Sequence, residues 1–252
     1  MKVFTLVFLL NLITCFIARL LHGGRLIVDD DKGSWFNTKI YFIAGILNQP
    51  IRAFHYFSYR GFCRVYLNYS VFGFNPKRAG KQLDKLMKDG DVVCGVSIGA
   101  KPIAYSTTNG FKRVLINPCT HPEILQPKYF WLIRIFAPLF KLLTFLLGWI
   151  SILPLISAEG GRYSLALLAD QLFWIGYGYP GDTNDDNNTP DLGDLSKTGI
   201  VMSTYDEFLD NLAISGIYHE ADWVEIETYH ARIGDQAVAN VYQDAIDFLL
   251  LL

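Results

Sequence analysis

The stretch Val92-Val93-Cys94-Gly95-Val96-Ser97-Ile98-Gly99-Ala100 decides the fold. Its apolar run predicts a buried strand, and the residues after Ser97 are suited to opening a helix. Ser97 would then lie at a sharp corner between strand and helix, in a backbone conformation that side chains resist, with Gly95 and Gly99 relieving the crowding on either side. The pattern predicts a hydroxyl held above the sheet edge as a candidate nucleophile. A tight packing turn without chemistry is the alternative interpretation.

Two later strands end in residues that can activate a serine. Residues 199–205 predict a strand that leads to Asp206, and residues 223–229 predict one that leads to His230. A histidine can accept the proton of an attacking serine, and an acid can hold that imidazole in the required tautomer. Taken singly, each residue has an ordinary alternative role. Asp206 could cap a helix that starts near Glu207, His230 could be an exposed loop residue, and Asp210 is a competing acid inside that helix.

Strands and helices alternate along most of the chain. The predicted strands are residues 39–44, 63–69, 92–96, 113–117, 199–205 and 223–229. A helix is predicted over 50–59, and another begins at Asn75-Pro76 and ends at Gly90. Alternation of this kind predicts a mostly parallel sheet with helices on both faces, and in such sheets sites gather at the carboxyl ends of the strands.

The chain order Ser97, Asp206, His230, each after its own strand, resembles that of the α/β-hydrolase family over residues 38 to 252, apart from a middle insertion. The resemblance implies the α/β-hydrolase fold and a catalytic triad of those three residues. It also implies that the N–H groups of Ile98 and Ile46 stabilise an oxyanion. The loop before Ile46 reads Ala44-Gly45, where the family often has His-Gly.

The insertion spans residues 126 to 180 and begins with an intensely apolar run, 129–150. It fits a helical lid over an apolar substrate pocket, a second element in contact with the membrane, or a packing cover for the sheet. Arg134, Pro138 and Lys141 disfavour a spanning helix. Arg134 and Lys141 lie seven apart, which predicts a helix in the membrane interface with both cations facing headgroups.

The amino terminus is a second apolar segment. No charge occurs from Val3 to Ala18, and Lys2, Arg19, His22 and Arg25 flank that run. Its length is near the lower limit for a spanning helix, and Cys15-Phe16-Ile17-Ala18-Arg19 lacks the small residues of a cleavage site. The sequence therefore favours a single-pass membrane anchor; if the segment is cleaved, the protein is secreted.

Composition narrows the partners. The formal net charge is −2, and the absence of a basic stripe argues against nucleic-acid binding. No motif indicates a cofactor, and Cys15, Cys63, Cys94 and Cys119 have no metal-site spacing and predict small apolar fillers. The acidic loop 181–191 alternates carboxylates and amides but lacks the glycine and glutamate of a calcium loop, so it predicts a solvated connection and no metal.

These observations predict four segments: an apolar anchor (1–25), a first core part (26–125), a lid insertion with the acidic loop (126–198) and a second core part (199–252). Residues 29–34 are expected to be a polar linker. The expected function is a membrane-associated serine hydrolase that cleaves a small-molecule or lipid ester with an apolar acyl or alkyl group. The alternatives are a non-catalytic membrane scaffold or binding module, and an acyltransferase that uses the same three residues. The oligomeric state is not predicted.

Overall fold

The fold is described from a computed structural model, over residues 2–32, 38–46, 63–107, 110–158, 161–178, 197–230 and 236–251. The predicted helix over 50–59 and the acidic loop 181–191 lie outside these residues. The elements, in chain order, are α1 (Lys2–His22), β1 (Leu26–Lys32), β2 (Lys39–Ile43), β3 (Cys63–Tyr69), α2 (Pro76–Leu86), β4 (Val92–Val96), α3 (Ala100–Ala104), β5 (Lys112–Ile116), α4 (Pro127–Leu146), β6 (Ile156–Ala158), β7 (Gly161–Tyr163), α5 (Leu165–Tyr177), β8 (Thr198–Tyr205), α6 (Asn211–Ile217), β9 (Asp222–Tyr229) and α7 (Gln236–Leu251).

A seven-stranded sheet organises the molecule. Its strand order is β1-β3-β2-β4-β5-β8-β9, and every pairing is parallel except that of β1 with β3. Strands β2, β3, β4 and β5 are buried almost throughout, as expected for strands covered on both faces. The predicted fold class, a mostly parallel sheet with helices on both faces, is confirmed.

Two layers of helices bury the sheet. One apolar cluster joins one face to residues of α2, α3, α5 and α6. A second cluster joins the other face to the apolar side of α7, through Ala239, Tyr242, Ala245, Ile246 and Leu249. This two-sided cover leaves the carboxyl ends of the parallel strands as the edge where loops can build a site.

Two predicted boundaries differ from the structure. Residues 29–32, expected in a linker, belong to β1. This strand pairs with β3 as far as Lys32, which lies opposite Arg64. Helix α2 begins at the predicted Asn75 cap, whose side chain accepts from the Arg78 N–H at 3.0 Å, but it ends at Leu86 rather than Gly90. Gly90 lies in the turn before β4, with φ +86°.

Helix α1 lies against the domain with its second half only. Cys15 is its one described residue that is fully buried, and it packs with Ile152 and Ala166. The Arg19 guanidinium donates to Asp170 of α5 at 2.9 Å. Arg78 donates to the carbonyl groups of Leu20 and Leu21 at the end of α1 and to that of Gly23 just after it, so the domain caps the end of this helix.

Helices α1 and α4 are both long and apolar enough, by length and composition, to cross a membrane. Their large apolar side chains are mostly exposed. The two cations in the middle of α4 do not face outward as predicted. Arg134 donates to the Gly176 carbonyl at 3.0 Å, and Lys141 lies 3.5 Å from Asp170, so both face α5. The spacing of seven residues predicted that Arg134 and Lys141 share one face of the helix, but it could not predict that this face packs against α5.

Candidate active site

Ser97 stands at the corner where β4 turns into a 3₁₀ turn, Ser97–Gly99, ahead of α3. Its φ is +52°, in the left-handed region that residues with side chains rarely adopt. A Cβ on Gly99 would lie 2.5 Å from a backbone oxygen of β2, and one on Gly95 would lie 2.5 Å from the Ile103 side chain. Close packing around both glycines holds the corner and places Ser97 at the carboxyl end of β4.

A hydrogen-bonded line joins Ser97, His230 and Asp206. The His230 Nδ1 atom lies 2.6 Å from Asp206 Oδ2, and Nε2 lies 3.1 Å from Ser97 Oγ. Because a carboxylate only accepts, Nδ1 carries the proton and donates to Asp206. Nε2 is then free to accept from the Ser97 hydroxyl, the arrangement that a general base requires.

Asp206 is fixed from two sides. Its Oδ1 atom accepts from the N–H groups of Phe208 and Leu209 at 2.9 and 2.8 Å, while Oδ2 faces His230. Its side chain has no exposed surface. The competing acid, Asp210, instead caps α6 by accepting from the N–H groups at the start of that helix. The helix therefore begins after Asp210, not near Glu207 as predicted, and Asp210 is turned away from His230.

A buried polar network supports the strand that carries Asp206. Asn117, at the end of β5 with φ +43°, accepts from the Ser203 N–H at 2.8 Å and donates to Ser203 Oγ at 2.7 Å. The Ser203 hydroxyl also pairs with Thr228 and Tyr242 at 2.9 Å each. The network ties β5, β8, β9 and α7 together beneath the site. Sequence reasoning missed it; the only signal was an asparagine at a strand end, a residue type that tolerates left-handed backbone.

The two residues expected to supply oxyanion donors, Ile98 and Ile46, belong to two different segments near Ser97. Ile98 follows Ser97 in the 3₁₀ turn, with its side chain fully buried. Ile46 lines the cavity beside Ser97. The loop that carries Ile46 passes close by, because a Cβ on Gly45 would lie 3.3 Å from Ser97 Cβ. Both segments therefore lie close to Ser97.

A cavity of about 370 Å³ opens over Ser97 and His230, and its wall is mostly apolar. Two of its sides come from the insertion, through Tyr129 and Ile133 of α4 and Leu172 and Ile175 of α5. The remaining lining residues are Gly45, Ile46, Val96, Cys119, Leu125, Phe208 and Leu209. A helical lid over an apolar pocket was one of three interpretations of the insertion, and the sequence could not name the residues that line the cavity.

Phe208 is one of the contacts that the sequence did not predict. Its ring meets the His230 imidazole edge-on, with centroids 5.4 Å apart, and meets the Tyr129 ring at 4.9 Å. The His230 side chain is 15% exposed. Phe208 thus restricts water around the imidazole and links it to the first turn of α4.

A second titratable cluster lies behind the cavity wall. Burial lowers the pKa of Lys101 to about 8, and its ammonium donates to the Trp174 carbonyl of α5 at 2.6 Å. Burial, with the nearby Lys101 charge, also lowers the pKa of His121 to about 4. Burial raises the pKa of Cys119 to about 11, so this cavity-lining thiol stays protonated at neutral pH. None of these three groups takes part in the hydrogen bonds that join Ser97, His230 and Asp206. They are neighbours of the candidate site.

The sequence matches no family model. No curated protein matches it either. Solved structures are similar in fold. A bromoperoxidase from Bacillus anthracis is 14% identical, with a TM-score of 0.57 over 90% of this chain and 95% of that one. A putative aryl esterase from Burkholderia cenocepacia is 11% identical, with a TM-score of 0.54 over 90% and 96%.

A third similar structure is the monoacylglycerol lipase of Paleococcus ferrophilus, 14% identical, with a TM-score of 0.53 over 86% of this chain and 96% of that one. These proteins share the α/β-hydrolase fold. Their similarity extends along nearly their whole length and includes the parallel sheet on which Ser97, Asp206 and His230 are placed. The chain therefore has the α/β-hydrolase fold.

Proposed function

We propose that this protein is a membrane-associated serine hydrolase that cleaves a carboxylic ester carrying an apolar acyl or alkyl group. The observation that carries the proposal is the hydrogen-bonded line from Ser97 through His230 to Asp206, at the floor of an apolar cavity. Similarity in fold to an esterase and a lipase is consistent with this reaction class.

The reaction proceeds in two halves. Ser97 Oγ attacks the ester carbonyl carbon while its proton passes to His230 Nε2, and Asp206 stabilises the resulting imidazolium. The backbone N–H groups of Ile98 and Ile46 stabilise the oxyanion. The imidazolium then protonates the departing alkoxide, which leaves an acyl group on Ser97. Water attacks this acyl-enzyme, gives its proton to His230, and the released acid leaves as Ser97 recovers its proton.

The apolar cavity wall favours an apolar substrate. Each methylene that leaves water for such a wall contributes about 0.8 kcal/mol. Helices α4 and α5 act as a lid in this proposal, since they supply Tyr129, Ile133, Leu172 and Ile175 to the wall.

Helix α1 serves as a membrane anchor that stays attached to the domain. Its first half is exposed and apolar, whereas its second half is tied to the domain through Cys15, Arg19 and the Arg78 cap. Removing the helix would expose the partners of all three, so cleavage after it would destabilise the remaining domain.

A fluorophosphonate probe tests the nucleophile, because it forms a bond to an activated serine as fluoride leaves. We expect the wild-type protein to be labelled and Ser97→Ala to be unlabelled, with ester hydrolysis reduced at least about 10³-fold. Ser215→Ala is the matched control, since Ser215 lies on α6 and its hydroxyl donates to the Leu212 carbonyl of the same helix. Labelling that persists in Ser97→Ala would overturn the assignment. Product analysis with added alcohols separates hydrolysis from acyl transfer.

A further inference from the structure

Helix α4 connects the cavity to the anchor helix. Tyr129 and Ile133, near its start, line the cavity over Ser97. At its other end, the Phe145 ring packs edge-on against Phe16 of α1 with centroids 6.3 Å apart. The same helix therefore touches both the reacting serine's pocket and the middle of the proposed membrane anchor.

The contacts with α1 fix the depth of the far end of α4. Helix α1 has 21 residues, or about 31 Å, which matches a hydrocarbon core of about 30 Å. Trp149 donates to Thr14 at 3.0 Å, and Gly148 packs against the Asn11 amide. Asn11 lies about 12 Å along the helix from Arg19, the charge that marks the interface. If α1 crosses the bilayer, the end of α4 and the 3₁₀ segment Gly148–Ile152 are inside the hydrocarbon.

The charges of α4 are arranged for that environment. Beyond its first turn the helix has two cations, and both are partnered on the side of α5. The Arg134 guanidinium also lies over the rings of Phe130 and Tyr177, at 4.7 and 5.3 Å, and Lys141 lies 4.2 Å over Phe173. Away from these cations, the surface of α4 presents exposed Trp131, Ile135 and Leu142. A helix whose cations have partners on the side of α5 and whose remaining surface is apolar suits lipid rather than water.

An apolar groove of about 560 Å³ runs along α4. Its open side follows Leu132, Phe136, Leu139 and Leu143, which recur at helical spacing. It shares Ile133 and Leu172 with the cavity above Ser97, so the two spaces meet at these residues. The groove therefore extends from the catalytic cavity toward the end of α4 that contacts α1.

We propose that this groove binds the hydrocarbon chain of a lipid ester that enters laterally from the bilayer, so that the substrate reaches Ser97 without passing through water. The inference rests on the proposed hydrolase function and names its substrate class. The occupant is a long alkyl or acyl chain because the groove is apolar along its length and its outer end lies at hydrocarbon depth. A chain that moves from lipid into this groove exchanges one apolar environment for another, which avoids the penalty of hydrating each methylene.

The direct test uses a fluorophosphonate that carries a long alkyl chain with a terminal diazirine, added to the full-length protein in phosphatidylcholine vesicles. Once the probe is bonded to Ser97, light crosslinks the chain end to whatever surrounds it. We expect crosslinks at Phe136, Leu139 or Leu143. Crosslinks confined to other elements would overturn the groove while leaving the hydrolase intact. Failure to form any adduct at Ser97 would overturn the proposed function, and the inference with it.

A kinetic comparison adds a second readout. Leu172→Trp narrows the junction between groove and cavity, and Ile135→Trp makes the same kind of change on the outward face of α4. We expect Leu172→Trp to lower the ratio of kcat/KM for palmitoyl over butyryl esters by about tenfold or more, because each lost methylene contact is worth roughly fourfold. Ile135→Trp should leave that ratio unchanged. An equal loss on both esters in Leu172→Trp, or the same fall in Ile135→Trp, would contradict the groove.

Discussion

At the scale of single residues, the site depends on the different hydrogen-bond partners of the two Asp206 carboxylate oxygens. Oδ1 holds the following turn through two backbone N–H groups, and Oδ2 orients His230. The two tasks can be separated by substitution, because an asparagine can keep its one oxygen on the N–H groups of the turn and then presents its NH₂ group, a donor, to the imidazole in place of the accepting Oδ2. The His230 tautomer should then depend on the charge of Asp206 and not on the shape of the turn.

We expect Asp206→Asn to lower kcat for ester hydrolysis by about 10³- to 10⁴-fold while the thermal unfolding temperature changes little, because the imidazole loses its orienting charge. Steady-state hydrolysis of a short ester measures the effect. Asp210→Asn is the control, since asparagine caps a helix as well as aspartate does and activity should be preserved. If both variants retained activity, Asp206 would have no role in orienting His230.

The residue types and chain order of the site could be predicted from the sequence, because strand ends and a glycine-flanked serine have local signals. The support beneath them could not. Asn117 and Ser203 are separated by 86 positions, and their pairing depends on β5 lying beside β8. A polar residue whose partner comes from a distant strand has no signature in its own neighbourhood.

At the scale of elements, the six parallel strands of the sheet were predicted to within about a residue, whereas β6 and β7, in the insertion, were not predicted. Buried parallel strands read as uninterrupted apolar runs. Strand β1 was missed because its sequence is not an uninterrupted apolar run. Its second half is Asp29-Asp30-Asp31-Lys32, and it pairs antiparallel at the edge of the sheet, where only one neighbour specifies it. The end of α2 was placed too late because Gly90 signals a turn, and the helix already ends before Lys88.

The close approach of the 3₁₀ turn to β2 gives a stability prediction. Gly99→Ala places a methyl group 2.5 and 2.6 Å from the carbonyl oxygens of Ile43 and Ala44, which are backbone and cannot move away cheaply. We expect a loss of about 2 kcal/mol or more in the free energy of unfolding, measured by denaturant titration in detergent micelles.

Gly216→Ala is the matched control for that change. Gly216 lies in α6, and an added Cβ there meets nothing within 4 Å. Alanine favours the helix by up to about 1 kcal/mol, so this variant should be as stable as the wild type or more so. If both variants lost a similar amount of unfolding free energy, steric contact with β2 would not be the reason why Gly99 cannot be replaced by alanine.

At the scale of the whole molecule, Asp170 joins three helices and a loop. Its carboxylate accepts from Arg19 of α1 at 2.9 Å and from the Phe74 N–H at 3.2 Å, and lies 3.5 Å from Lys141 of α4. The side chain is 12% exposed. One anion thus neutralises a cation on each of the two apolar helices, at the level where both meet the domain.

We expect Asp170→Asn to destabilise the protein by about 3 kcal/mol, because it leaves the largely buried Arg19 without a counter-charge and removes the anion beside the more exposed Lys141. Thermal unfolding in detergent micelles should detect the change. Asp222→Asn, at an exposed position at the start of β9, should have almost no effect. An unchanged unfolding temperature in Asp170→Asn would show that the α1 contacts do not depend on this charge.

The large-scale arrangement was predicted in part. Two apolar segments and a parallel sheet could be inferred from composition and alternation, but the interior position of Arg134 and Lys141 could not. Their shared face is a property of α4 alone, whereas their partners belong to α5, which lies 29 to 42 positions further along the chain. Tertiary pairing between helices therefore decides which face of α4 stays exposed.

The pairing of Arg19 with Asp170 spans 151 positions. During synthesis, α1 leaves the ribosome long before its counter-charge exists, and under the proposed anchoring it enters the bilayer alone. The helices that contact it must then assemble against a segment already surrounded by lipid. Under that proposal, the order of translation makes the membrane a participant in the maturation of this protein, rather than a surface that the folded protein later visits.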